Sequence, residues 1–67
     1  MQKFVERMIE ERKELVGKIK KAENAITNNP FGVDKEDIEL LTNQVKAMKE
    51  YLVWLEKRLE KEGVKLG

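Results

Sequence analysis

Gln44, Tyr51 and Arg58 recur at helical spacing and put an amide, an aromatic ring and a guanidinium along one helical face. Groups of these three kinds hydrogen-bond to, stack on and neutralise a nucleotide-like ligand. Leu40, Ala47 and Trp54 share the stripe, one position off the main apolar seam of the same helix. A lone hairpin would leave much of it in water, and exposed apolar surface of that length marks an interface. Two uses compete for the stripe. It packs against a second hairpin in a bundle, or it combines that packing with a ligand-binding face.

Arg12 is a single charge inside an otherwise apolar seam. Such a residue fixes register while its stem reaches solvent. Alternatively it marks an anion site in an assembled bundle, with Arg7 and Lys13 nearby on the same helix. Gly17 costs roughly 1 kcal/mol against alanine inside a helix. It reads as a point of close helix or ligand approach, or as a tolerated weakness. Phe31, beside Gly32 in the turn, is either a plug over the end of the core or a stacking ring at a mouth between subunits.

Catalysis has little to draw on. The chain has no histidine and no cysteine, which removes the usual general base, the thiolate nucleophile and the commonest metal ligands. It has no Gly-rich phosphate loop and no metal-spaced cluster, so neither a cofactor nor a metal is expected. Glu10 and Glu14 share a helical face, but glutamates at that spacing are too common in charged helices to mark acid–base machinery. The runs Glu10-Glu11-Arg12-Lys13-Glu14 and Glu56-Lys57-Arg58 read as solvated faces. The expectation is a protein that is not an enzyme.

Two helices must position these groups. In the first, Val5, Met8, Arg12, Leu15, Ile19, Ala22 and Ile26 step by threes and fours, with Phe4, Ile9 and Val16 widening the seam. In the second, Ile38, Leu41, Val45, Met48, Leu52, Leu55 and Leu59 do the same without a break. Pro30 bars continuation of the first helix. Asp34 is a good N-cap, with Val33 and Ile38 placed for a hydrophobic staple. Gly63 is a left-handed stop over which Val64 can close onto Leu59, and Lys65 to Gly67 reads as a short tail. The spacing predicts helices over about 2–28 and 34–62, joined by a turn at 29–33, in one domain over 1–67. Each helix is roughly 40 Å long at 1.5 Å per residue. So short a connection makes the pair an antiparallel, all-α hairpin.

At 67 residues the chain is small for a stable core without staples or self-association, so a homo-oligomeric helical bundle is expected. The charge is balanced, at 14 basic against 13 acidic residues and net +1, which argues against DNA binding and against a polybasic membrane binder. No apolar run nears a membrane span and no signal-peptide pattern opens the chain. A cytoplasmic protein is expected.

The stretch Phe4, Arg7-Met8-Ile9-Glu10-Glu11 and Glu14-Leu15, the turn with Pro30-Phe31, and the ladder Leu41, Gln44, Met48, Tyr51, Leu55, Arg58-Leu59 resemble a known family. They are similar to the helical hairpin domain of bacteriophage anti-CBASS and anti-Thoeris sponge proteins, over nearly the whole chain. The resemblance implies a non-enzymatic immune-evasion protein that sequesters cyclic-nucleotide signals in the cytoplasm of the infected bacterium. It implies symmetric oligomers, often hexamers, with ligand held between protomers, and ligands among cyclic di- and trinucleotides or cyclised ADP-ribose. Longer members carry an extra N-terminal helix or sheet that this chain is expected to lack. On this reading Arg58 and Arg7 hold phosphates, Tyr51 and Phe31 stack on bases, Gln44 or Asn43 reads a base edge or ribose, and Lys13 is a further binding candidate. The rival reading is a protein–protein interaction module, a phage host-takeover inhibitor or bundle adaptor, in which the Tyr51/Trp54 stripe docks a foreign helix.

Overall fold

The computed structural model of the chain describes residues 2–29 and 32–66. Two helices, α1 (Lys3–Asn28) and α2 (Lys35–Lys61), pack side by side. Contacts join the start of α1 to the end of α2 and the end of α1 to the middle of α2, so the helices run antiparallel in a hairpin 45 Å long. Each seam follows from its three–four spacing, which keeps one apolar row facing the neighbouring helix.

The helix ends obey local chemistry. Asn29 closes α1 in the left-handed region, at φ 42°, and its amide N–H donates to the Ala25 carbonyl. Asparagine tolerates this conformation better than most residues with a Cβ. Its side chain also grips the backbone of Val33 twice. The side-chain amide donates to the Val33 carbonyl (3.1 Å), and the Val33 N–H donates to the side-chain oxygen (2.9 Å). The α2 N-terminus is capped as its sequence indicates, with Asp34 accepting from the Asp37 N–H at 3.0 Å. Val33 remains exposed beside it.

Gly63, at φ 86°, ends α2 in a Schellman motif. The Val64 N–H donates to the Leu59 carbonyl and the Gly63 N–H to that of Glu60, both at 3.0 Å. This reversal carries Val64 and Leu66 back onto the cluster of Val5, Met8, Leu55 and Leu59. Val64 thus closes onto Leu59 as its position indicates, and Leu66, in the expected tail, packs against the core as well. Burial is deepest here, with Leu59 at 0% exposure and Leu55 at 1%. Each such leucine contributes about 1.5–3 kcal/mol relative to exposure. Ile19 and Val45 are the other buried residues among those described, and the rest of the seam is half-buried.

Arg12 finds its partner across the hairpin. Its Nε donates to Glu56 Oε2 at 2.8 Å, and both side chains are largely shielded. Glu56 is thus a bridge between helices and not part of a solvated run. Near the turn, Lys49 meets Glu23 at 2.7 Å in a more exposed pair. Gly17 does not mark a close approach within the chain, because a Cβ there would meet open space. Neither helix is long and apolar enough to cross a membrane.

Candidate functional site

The antiparallel packing turns one row of α2 toward its own α1 and leaves the adjacent row free. Gln44, Tyr51 and Arg58 lie on that free row, all exposed, at successive intervals of two turns. Tyr51 is the pivot. Its hydroxyl donates to Glu11 of α1, which fixes the ring at the edge of the hairpin instead of leaving it free in solvent. That hydrogen bond raises the phenol above its ordinary value, and partial desolvation and the negative charge of Glu11 push it the same way. Arg58 is close enough to oppose the shift with its positive charge. Tyr51 and Arg58 therefore share one electrostatic environment, in which the phenol hydroxyl meets a carboxylate and feels the charge of a guanidinium.

Beside this row runs the apolar part of the stripe. Trp54 is 64% exposed and Leu40 57%, the two most exposed large apolar side chains among the described residues. Lys57 holds its ammonium 4.8 Å from the centroid of the Trp54 ring, a cation–π contact on a side chain that stays largely exposed.

The other residues read from sequence are not all drawn to this point. Asn43 is exposed on α2 but lies on the far side of Ala47 from Gln44. Arg7 and Lys13 are exposed on α1. Six residues apart, they project about 120° from one another around the helix axis and do not form one anion clamp. Phe31 lies outside the described residues.

Two of the concave features, both along the shaft of the hairpin, were not legible in the periodicity. A small cleft of about 180 Å³ runs under Tyr51, walled by Glu11, Glu14, Leu15 and Lys18. A second, of about 230 Å³, lies toward the turn over Val45 and Ile26, rimmed by Thr27, Thr42, Lys46 and the Glu23–Lys49 pair. Glu11 and Lys18 carry a signal only once the helices are aligned, since neither breaks a pattern in its own helix. Both clefts are shallow on the single hairpin and too small to enclose a dinucleotide, which needs a pocket of about 300–1,000 Å³. Among the described residues, no group of acidic side chains is arranged to hold a metal ion.

A family model described as Sequestin matches residues 2–61, which takes in both helices and every residue of the free α2 row. No curated protein and no solved structure matches the chain. The name is that of a sequestering protein, in agreement with the sponge resemblance carried by the Gln44, Met48, Tyr51, Leu55, Arg58 ladder.

Proposed function

The chain belongs to the Sequestin family, and from that premise we propose that it captures a cyclic-nucleotide immune signal and holds it intact. The match over residues 2–61 is the observation that carries this reading. The chemistry of the free α2 row supports it. Arg58 offers a planar set of donors for a phosphate, Tyr51 offers a ring already oriented by Glu11, and Gln44 offers both a donor and an acceptor to a base edge. A ligand carrying two or three charges needs only a few such groups, so a net charge of +1 is no obstacle.

The shallow clefts of one hairpin become a pocket when a second protomer closes over them. In a symmetric oligomer, which we take to be a hexamer built from dimers, each Arg58 or Arg7 recurs around an axis. One residue type then supplies several charges to one ligand. Phage immune evasion in the bacterial cytoplasm is the setting in which such a sink has a use. It lowers the free concentration of the signal below what the host effector needs.

Thermal unfolding in the presence of cyclic dinucleotides, cyclic trinucleotides and cyclised ADP-ribose tests the proposal. A ligand at a hundred times its Kd stabilises the folded state by about 2.7 kcal/mol, a readily measured rise in Tm. Chromatography of the ligand released on heating should return it unaltered. No rise with any of these compounds overturns the proposal, and recovery of a cleaved product overturns the sequestration mechanism.

A further inference from the structure

The free face of α2 is complementary to itself when reversed. Turning at about 100° per residue, Glu36, Leu40, Asn43, Tyr51, Trp54 and Arg58 all fall within about 40° of Ala47 around the helix axis. All of them, Ala47 included, are exposed. We infer that α2 pairs with α2 of a second copy of this chain, antiparallel, about a two-fold axis passing at Ala47.

Such an axis places Leu40 against Trp54 of the second copy on both sides of the centre. It brings Glu36 to Arg58 and Asn43 to Tyr51, each contact occurring twice because the interface is isologous. Ala47 meets itself, and its small side chain permits the close approach of two helix axes that the flanking Leu40–Trp54 contacts then cover. The charges demand this direction. Helix α2 is acidic in its first turn, with Glu36 and Asp37, and basic in its last, with Arg58 and Lys61. Antiparallel pairing sets acid against base at both ends. Parallel pairing would set Glu36 on Glu36 and Arg58 on Arg58, which repel.

The exposed area points to the same occupant. A compact monomer of 7.9 kDa has about 4,400 Å² of accessible surface by the scaling of folded monomers with mass. The hairpin has 5533 Å². The excess of about 1,100 Å² exceeds the roughly 800 Å² that each partner contributes to an interface of standard size. Pairing also brings Asn43 of the second copy to Tyr51, which Asn43 of the same chain does not approach. A nucleotide site on this row is then built from two protomers. That consequence rests on the nucleotide reading, whereas the pairing itself does not.

The chain has no cysteine, so single-cysteine variants report the axis directly. In a glutathione redox buffer, Ala47→Cys should cross-link to itself, since facing Cα atoms at a close helix crossing fall within disulfide range. Leu40→Cys and Trp54→Cys should each stay largely uncross-linked alone and form the mixed disulfide when combined. Lys46→Cys, on the side of α2 away from the axis, is the background control. Sedimentation of the unaltered chain at micromolar concentration should give a dimer or a multiple of it, and Leu40→Glu should shift that mass downward with helicity retained. A monomer mass for the unaltered chain overturns the pairing. So does self-cross-linking of Leu40→Cys above the control, which indicates parallel helices, or an Ala47→Cys yield no higher than that of Lys46→Cys. None of these measurements uses a ligand, so their outcome is independent of whether a nucleotide binds.

Discussion

Tyr51 is the only tyrosine in the chain, so its ionisation can be followed by ultraviolet absorbance without ambiguity. Its hydrogen bond to Glu11 holds the phenol above the ordinary value of 10.0. A raised folded-state value means the pair stabilises the protein below the unfolded value and loses that contribution as pH climbs through the folded one. Glu11→Gln should move the titration back toward 10.0, and Arg58→Ala should move it further up by removing the opposing charge. A titration unchanged by Glu11→Gln would mean that the hydroxyl faces solvent. Arg58 also carries the ligand prediction. If it holds a phosphate, Arg58→Ala should weaken binding by about ten- to a hundredfold, the equivalent of 1.5–3 kcal/mol for a charge-assisted contact. Calorimetric titration at a concentration where mass is unchanged separates that loss from any effect on assembly. The residue types of this row were legible in the sequence. The grip of Glu11 on Tyr51 was not, because it depends on how two helices are rotated against each other, and neither residue departs from the pattern of its own helix.

At the scale of the helices, the three–four spacing, the Asp34 cap and the Gly63 stop were enough to read two helices and the hairpin they form. Arg12 was legible as a break in a seam, but its answer, Glu56, was hidden in a run of charges. Periodicity identifies which face is turned inward. It does not say which residue stands opposite at a given height, and both the Arg12–Glu56 bridge and the docking of Leu66 depend on that alignment. The bridge gives a test of its own. Losing either partner alone strands a shielded charge, whereas replacing both with well-packed apolar groups is often neutral or stabilising. Arg12→Leu and Glu56→Leu should each lower Tm, and the double variant should recover to the parent or above it. Strictly additive losses would show that the two side chains do not interact. Ligand affinity should be unchanged in the double variant, since neither residue lies on the free row of α2.

The whole molecule is a rod with its best packing at one end. Val5 and Met8 meet Leu55 and Leu59 there, beneath the returning Val64 and Leu66, while the turn lies at the opposite end. That asymmetry bears on the order in which the hairpin forms. Bringing Val5 to Leu59 directly from the unfolded chain closes a loop of about 50 residues. Starting at the turn closes one of about six, and the difference of some three doublings costs the direct route about 2 kcal/mol in chain entropy. Docking should therefore begin beside the turn and travel toward the chain ends, leaving the deepest contacts for last. Contacts made after the barrier alter the escape rate from the folded state and not the rate of reaching it. Leu59→Ala, a change expected to cost about 2–5 kcal/mol, should then speed unfolding by orders of magnitude while hardly slowing refolding. Stopped-flow fluorescence of Trp54 at fixed protein concentration can follow both arms. A refolding arm slowed as much as the unfolding arm is quickened would place the terminal cluster within the barrier. If the refolding arm is unmoved, Leu59 sets how long the folded hairpin lasts and leaves the speed of its formation to residues nearer the turn.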